Sequence, residues 1–482
     1  MKPADGCRIL FFILTPILIM THAMKTLLLL LFITVFATEL RSQDTLRVSL
    51  QEFVERGLEK SGQIAYEEGA VRLAENRVNQ ARSTRILPNI NLDTNHGLVP
   101  GVVSRDDNLP ESQYYLDPNL ENDWEDWAIF TRAEISAVQP VYTWGAINKA
   151  VSAAEAGARA AEERFIAARG DVELQLVELY YSYLLSMEIS AIVNEAESQI
   201  NQVDRVIEEM REEEDPGLRE KDVFQFEIYR SEFQVQKLEV EQGAERIRRV
   251  WSYILSDGEA EVVWMPAEEF LDPVPVQLEP FEVYLRSAFV QRPEMRGIEA
   301  GMEAYRLSAD ATRAQNFPML YLGLTASFAN TPNRPRQSNP FIINNTNFAT
   351  AAVGLGIRQN LNFSALRNRT ERAEIEYNRA RHLRDAFTDQ ITLELNEHYA
   401  EAVVAEERVS RTNESLTTAR NWVRHEQLNY DFGFGEMEDM VEAVRTELEL
   451  RVDLKRQMYE LNRKMAQLYK TAGLSVTGIA QP

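Results

Sequence analysis

The longest uninterrupted helical pattern in this sequence runs over residues 144–211, which contain no proline. Its apolar or small residues alternate in steps of four and three: Ile147, Val151, Ala154, Ala158, Ala161, Phe165, Ala168 and Val172. This spacing is typical of a helix that packs along a neighbouring helix over its whole length. At about 1.5 Å per residue, the helix would be roughly 100 Å long. A helix of that length is unsuited to a compact domain and predicts an extended helical assembly.

The composition and motifs argue against several classes of function. The net charge of −24 argues against nucleic acid as a partner. The five histidines are scattered, and the sequence contains no His-Glu-x-x-His, no phosphate-binding glycine loop and no Gly-x-Ser-x-Gly motif. We therefore predict that the protein is not an enzyme and has no catalytic residues, no cofactor and no dedicated metal site.

The N-terminus carries two apolar runs. Met24 and Lys25 precede an apolar run of about a dozen residues, which is the pattern of a secretory signal peptide. An earlier run, residues 9–20, is broken by Pro16, which favours Met24 as the true start. We predict that residues 1–43 are a signal peptide and that the rest leaves the cytoplasm; an N-terminal membrane anchor is the alternative.

The remainder of the chain reads as an internal repeat. Residues 87–92 are echoed by 317–322, and residues 139–145 by 359–365. The predicted first repeat, 44–256, has a strand pair at about 87–139, the long helix 144–211 and a helix over 220–256. The predicted second repeat, 281–473, has a helix over 281–316, a strand pair at about 318–361, a long helix over 365–430 and a helix over 436–472. A helix over 49–85 opens the first repeat, residues 257–280 with four prolines predict a strap, and 474–482 a tail.

Alternation in the strand pairs predicts a membrane barrel. Apolar residues alternate with small or polar ones, as in Leu320, Leu322, Leu324, Ala326 and Phe328. Strands of about ten residues with this pattern are typical of barrels with lipid outside and water inside; a half-buried sheet on a soluble core is the alternative. Four strands cannot enclose an aqueous channel, and an open edge cannot face lipid. We therefore expect several chains to share one barrel.

The ends of the strands also carry a signal. Residues 97–126 and 330–347 are rich in Asn, Asp and Pro, and we expect them to form long extracellular loops. The aromatic residues near the strand ends predict a girdle at the membrane interface. They are Trp124, Trp127, Phe130, Tyr142 and Trp144.

Three motifs resemble those of the TolC family of outer-membrane efflux proteins. They are Leu-Pro-x-Ile-x-Leu at 87–92, Gln-Pro-Val-Tyr-x-x-Gly at 139–145 and Arg-Pro-Glu-Met at 292–295. The resemblance extends over residues 49–473; it departs from the family pattern at 61–64 and at Asn360, where family members often have proline. It implies a mixed α/β membrane protein and a homotrimer in outer-membrane lipid, with a shared β-barrel of four strands per chain continued by a periplasmic α-helical barrel. It further implies two partners, a periplasmic adaptor (membrane fusion) protein and an inner-membrane pump of the RND or ABC type.

We therefore expect a passive exit duct of a tripartite efflux or type I secretion system, opened at its periplasmic tip when adaptor and pump dock. A periplasmic adaptor or a helical scaffold protein of an export complex is the alternative. An adaptor, however, would lack four lipid-compatible strands.

The candidate functional residues lie in the two turns that follow the long helices. Residues 206–222 carry eight acids and three bases, and residues 425–440 carry five acids without Lys or Arg, a net charge of −5 for each. A carboxylate that begins a helix gains about 0.3–1 kcal/mol from the macrodipole, whereas one that ends a helix is disfavoured. We expect an acidic ring that gates the entrance, attracts cations and can bind a divalent ion: Glu212, Glu213, Glu214, Asp215 and Asp431. The resemblance implies an adaptor-docking tip at the same turns: Gly217, Leu218, Phe432, Gly433, Phe434 and Gly435.

Overall fold

The computed structural model describes residues 45–214, 219–256, 262–337, 339, 341–432 and 436–480. The helices are α1 Leu50–Lys60, α2 Gly62–Ile86, α3 Ala146–Glu212, α4 Glu220–Leu255, α5 Phe281–Gln291, α6 Pro293–Ala314, α7 Phe363–Asp431 and α8 Met437–Thr471. The strands are β1 Thr45–Val48, β2 Asn89–Val103, β3 Glu121–Tyr142, β4 Val263–Pro266, β5 Met319–Asn330 and β6 Phe348–Arg358. The predicted signal peptide lies outside the described residues.

The chain divides into two compact units, each assembled from three segments. Unit 1 is drawn from Met1–Lys60, Glu178–Asp272 and Thr412–Tyr459. Unit 2 is drawn from Ser61–Val177, Pro273–Arg411 and Glu460–Pro482. The division therefore does not follow the boundary between the two predicted repeats.

Two helices that the sequence predicts to be continuous, 49–85 and 281–316, are each divided. Ser61 interrupts the first, and its side chain caps α2 by accepting a hydrogen bond from the Ile64 backbone N–H at 3.4 Å. Pro293 interrupts the second and occupies the first turn of α6. Because a residue before proline is pushed out of the helical region, Arg292 is extended, with φ −63° and ψ 121°.

The core of unit 1 includes a cluster of aromatic side chains around Trp251, which is fully buried. The Phe53 ring stacks on Trp251 with centroids 4.2 Å apart, and Tyr183 meets it edge-on at 4.6 Å. The parallel pair β1–β4 lies in the same unit, so part of the predicted strap is a strand. The Tyr180 hydroxyl donates to Glu268 of the strap and accepts from the Ala267 backbone N–H.

Burial, and then the hydrogen bond to Glu268, raise the pKa of Tyr180 well above its ordinary value. The hydroxyl therefore remains protonated and acts as a donor throughout the physiological pH range. Tyr180 thus joins α3 to the strap with a bond that ordinary pH changes do not break.

A second cluster in unit 1 packs α3, α4 and α8 together. It consists of buried side chains at helical spacing, including Ile192, Ile200, Phe226, Phe233 and Leu448. Removing such side chains from water supplies about 25 cal/mol per Å² of apolar area. Apolar side chains shared by three helices hold this part of unit 1 together.

Unit 2 contains one four-stranded antiparallel sheet in the order β2-β3-β5-β6. β3 pairs with β5 only from Thr131 onward, and the β5–β6 pairing ends at Ala329 and Phe348. Beyond that level β2 and β3 continue as a two-stranded ribbon, with residues 97–103 paired to 121–130. The two ends of the segment predicted as the first extracellular loop, residues 97–103 and 121–126, are therefore strand, whereas residues 104–120 between them are not. At these ends backbone pairing across the hairpin outweighs the Asn- and Asp-rich composition.

The C-terminal end of α8 is fitted to the break between α5 and α6, in unit 2. Gly473 has a left-handed backbone, with φ +74°, and a Cβ there would lie 2.6 Å from the Arg292 backbone nitrogen. Arg292 itself is only 4% exposed and pairs with Glu294 at 3.2 Å and Glu394 at 3.0 Å. Glycine at 473 lets the two backbones approach this closely.

Replacing Gly473 with alanine is expected to lower the free energy of unfolding by about 1–2 kcal/mol from left-handed strain alone. The contact with Arg292 adds to this loss, because backbone cannot move aside as a flexible side chain can. Thermal unfolding followed by circular dichroism measures the effect. Gly478→Ala is the matched control, since a Cβ there meets Ser475 at an ordinary 3.6 Å. Equal stability of the two variants would contradict this reading.

Candidate functional site

The four-stranded sheet has one apolar face and one polar face. Residues directly opposite each other in an antiparallel sheet share a face. The apolar face carries, rung by rung, Ile90, Ala137, Leu324 and Val353, then Leu92, Ile135, Ala326 and Ala351, then Thr94, Ala133, Phe328 and Ala349. The polar face carries Asn89, Val138, Gly323 and Gly354, then Asn91, Ser136, Thr325 and Ala352, then Asp93, Glu134, Ser327 and Thr350, then Asn95, Arg132, Ala329 and Phe348.

Charged side chains occur at three levels of the polar face. Asp93 lies directly opposite Glu134, an arrangement that destabilises a sheet because like charges face each other. Neither carboxylate forms an ion pair in the described part of the chain. Arg132 lies one rung further, with its guanidinium 5.9 Å from the Phe348 ring centroid. Arg358 occupies the opposite end of the same face, so polar groups extend over its full height.

The aromatic residues predicted as a girdle fall into two groups. Tyr142 and Trp144 lie where β3 leads into α3, and their ring centroids are 5.2 Å apart. The Trp144 indole N–H donates to the Pro318 carbonyl at 2.8 Å, which joins this turn to the start of β5. Trp124 and Trp127 lie in the two-stranded ribbon, beyond Thr131 where pairing to β5 begins. The two groups are therefore at opposite ends of the sheet.

The predicted acidic run ends α3. Glu212, Glu213 and Glu214 are exposed, and within the described residues their side chains make no ion pair or hydrogen bond. Glu214 has φ +51°, a left-handed conformation that normally favours glycine or asparagine. Both the helix dipole and the backbone conformation thus disfavour glutamate here. Local stability does not explain these acids.

The other predicted turn residues are only partly described. Phe432 is 72% exposed at the end of α7. Asp431 ends the same helix, but its side chain lies outside the described part of the structure. The remaining predicted residues also lie outside it: Asp215, Gly217, Leu218, Gly433, Phe434 and Gly435.

The starts of α4 and α8 are linked by ion pairs that the sequence analysis missed. Arg219 pairs with Glu436 at 3.5 Å, and Lys221 pairs with Glu438 at 2.6 Å. The hydrogen bond from the Lys221 ammonium, with its charge, lowers the pKa of the Glu438 carboxyl. The acids that begin α8 are thus locally compensated, in contrast to the run that ends α3. No signal in the sequence pairs residues about 217 positions apart.

A cavity of about 600 Å³ opens beside these ion pairs, within unit 1. Its apolar wall is formed by side chains of α3 and α4, including Ile207, Val223 and Phe226. Its acidic wall includes Glu436 and Glu442. Across the described ranges, no three His, Cys, Asp or Glu side chains group closely enough to hold a metal ion.

A model of the protein family described as outer membrane efflux protein matches residues 284–474. The chain is also similar in fold to solved outer-membrane channels, although sequence identity is low. The Campylobacter jejuni CmeC outer membrane channel is 14% identical, with 88% of this chain and 85% of that chain covered and a TM-score of 0.68. The open state of the Neisseria gonorrhoeae MtrE outer membrane channel is 13% identical, with 90% of this chain and 91% of that chain covered and a TM-score of 0.69. The outer membrane protein VceC from Vibrio cholerae is 16% identical, with 89% of this chain and 96% of that chain covered and a TM-score of 0.66. No curated protein matches the chain.

Proposed function

We propose that the chain is an outer membrane efflux protein, which the family match over residues 284–474 supports, and that three copies join their sheets into one twelve-stranded barrel, four strands from each copy. The protein is an outer-membrane channel of an efflux system, with a helical tunnel in the periplasm. Channels of this family are conduits rather than enzymes. Transport through such a duct breaks no covalent bond, so its functional residues are those that set width, charge and opening.

The two-faced sheet with open edges is the observation that carries this proposal. Within the described residues, β2 and β6 are edge strands of 15 and 11 residues. In lipid every backbone N–H and C=O must be paired, so such edges cannot remain open. Pairing β2 of one copy with β6 of the next closes them and turns each apolar face toward lipid. The polar faces then line a water-filled bore.

The proposed barrel gives each face one environment. The apolar rungs around Leu324 and Val353 contact lipid chains, where burying apolar area is favourable. The polar rungs, with Asn91 and Asp93, stay hydrated. A half-buried sheet on a soluble core would need further elements packed on Val353 and Leu355, which are 69% and 71% exposed. A scaffold or adaptor protein has no use for such a sheet.

Channels of this family form trimers and work with adaptor and pump partners. We assign the same partners here: a periplasmic adaptor that docks on the turns after α3 and α7, and an inner-membrane pump of the RND or ABC type. Phe432 is the exposed apolar candidate for that contact within the described residues. Efflux and type I secretion both fit such a duct, because the choice of cargo belongs to the pump.

The acidic run at the end of α3 is proposed to surround the periplasmic entrance. Glu212, Glu213 and Glu214 from three copies place nine uncompensated carboxylates there. A ring of carboxylates concentrates cations and repels anions at the mouth of a pore. The ion pairs at the start of α8 are proposed to hold the turns of one copy together beside this ring.

Recordings from the purified protein in planar bilayers test this function. We expect discrete conductance steps and a preference for cations, measured as the reversal potential in a KCl gradient. Replacing Glu212, Glu213 and Glu214 together with glutamine is expected to shift the reversal potential toward zero, because charge at the entrance is lost. Protein that produces no conductance steps contradicts the duct itself.

The matched control removes three charges from α4 instead, at Glu239, Glu241 and Glu245. Glu239 is about 28 Å along α4 from its start, and salt screens charges beyond roughly 10 Å. The control is expected to leave the reversal potential close to that of the parent. Equal shifts from both triple variants would contradict a role for the turn acids.

A further inference from the structure

The Tyr321 ring lies against two glycines of the sheet, Gly323 and Gly356. We propose that Tyr321 and Arg358 form the ring that sets the width and charge of the bore at the end of the barrel nearest the helices. Gly323 and Gly356 form the recess that keeps the tyrosine against the wall. This inference rests on the proposed barrel, in which the polar face of the sheet lines the bore.

The recess is defined by the space that the tyrosine ring already fills. Tyr321 of β5 is directly opposite Gly356 of β6. A Cβ on Gly356 would lie 2.6 Å from Cζ and 2.7 Å from the hydroxyl oxygen of Tyr321. A Cβ on Gly323 would lie 3.3 Å from Cε2 of the same ring. The ring therefore covers both glycines, whereas strand side chains ordinarily stand perpendicular to the sheet.

Arg358 holds the ring from the other side. Its guanidinium carbon lies 5.0 Å from the Tyr321 ring centroid, within the range of a cation–π contact. Arg358 is exposed and shares the polar face with Tyr321. In three copies, this level carries three guanidinium groups and three phenols. A ring of arginines favours anions over cations.

Tyr321 is the side chain that can narrow this part of the bore. On β5 and β6, the polar-face positions between Arg358 and Phe348 other than Tyr321 carry only small residues. They are Gly323, Thr325, Ser327, Thr350, Ala352, Gly354 and Gly356. A tyrosine that stands away from the wall projects further than any of them. The position of one ring thus decides the width at this level.

Gly356→Ala tests the recess, because its Cβ takes the space of the ring and drives Tyr321 into the bore. Gly354→Ala is the matched control: it adds the same atoms to the same face of the same strand, with no atom within 4 Å. The measurement is polymer exclusion in planar bilayers. Polyethylene glycols of graded size are added on the barrel side, and the largest one that lowers the conductance is recorded. Polymers that enter from the barrel side meet this ring before they reach the helical tunnel, so the readout does not depend on the width of the periplasmic end.

We expect Gly356→Ala to exclude the largest polymers that enter the parent, and Gly354→Ala to admit them. Adding Tyr321→Ala to Gly356→Ala is expected to restore their entry. Arg358→Gln is expected to move the reversal potential toward cation preference. Equal cut-offs for the two glycine variants, or no rescue by Tyr321→Ala, overturn the inference.

Assembly is measured for every variant by its oligomeric mass in detergent. If Gly356→Ala does not assemble, the Tyr321→Ala single variant decides, because this substitution adds no atoms. A larger polymer cut-off than in the parent supports the inference. An unchanged polymer cut-off overturns it. A parent that conducts but shows no difference among variants defeats this inference alone. A parent that does not conduct defeats the proposed duct.

Discussion

Val353→Arg is expected to abolish assembly in the outer membrane. Val353 lies near the middle of β6 on the apolar face, opposite Leu324. Arginine on the lipid face of a barrel costs about 2–4 kcal/mol at the middle of the bilayer, and the penalty recurs in each of three copies. The measurement is the amount of protein recovered in outer-membrane fractions and its oligomeric mass after detergent extraction.

Ala352→Arg is the matched control, one residue away on the polar face. In the proposed barrel this arginine projects into water, so we expect normal membrane levels and a conductance below that of the parent. Loss of assembly in both variants would mean that both faces are packed against protein. Normal assembly of Val353→Arg would contradict the lipid assignment of the apolar face.

Trp251→Ala is expected to lower the free energy of unfolding by about 3–5 kcal/mol. The indole is fully buried and contacts Phe53, Tyr180 and Tyr183, so its removal leaves a large cavity as well as lost apolar burial. Because Phe53 follows β1 and Tyr180 holds the strap, the loss also loosens the β1–β4 pair. Chemical denaturation followed by circular dichroism measures the change.

Tyr253→Ala on the same helix is the comparison, since that side chain is 86% exposed. Its expected effect is within about 0.5 kcal/mol, as for most surface substitutions. Alanine is a better helix former than either aromatic residue, so a similar loss in both variants would contradict the role assigned to the aromatic cluster.

The elements with strong periodicity could be predicted from the sequence. The apolar spacing that includes Ile147 and Val151 repeats over many helical turns. The alternation from Leu320 to Phe328 assigns each residue to one face of a strand before any partner strand is known. Local spacing decides such elements. The break at Ser61 could not be predicted in this way, because the pattern remains helical on both sides of it. Pro293 was visible in the sequence, but only the structure shows that α6 starts there.

The site could be predicted only where it depends on one segment. The acids at Glu212–Glu214 were found because a run of carboxylates at a helix end is a local pattern. The pairing of Lys221 with Glu438, and of Tyr321 with Gly356, depends on which strands and helices become neighbours. The short strands β1 and β4 have four residues each, too few for a periodic signal. These features depend on contacts between distant segments, which residue spacing within one segment does not reveal.

Cross-linking of the sheet edges tests the shared barrel most directly. Within one chain, β2 and β6 are separated by three strand spacings, about 14 Å, whereas a disulfide needs Cα atoms within about 7 Å. Asn91→Cys on β2 is combined in turn with Thr350→Cys, Ala352→Cys or Gly354→Cys on β6, all on the polar face. Cys7→Ser removes the only other cysteine. Any disulfide formed must therefore join two copies.

The measurement is the size of the oxidised product on a denaturing, non-reducing gel. The shared barrel predicts that at least one combination yields a covalent trimer as the largest product, with dimers as its precursors. Monomers alone in all three combinations, or a ladder that extends beyond three copies, would contradict it.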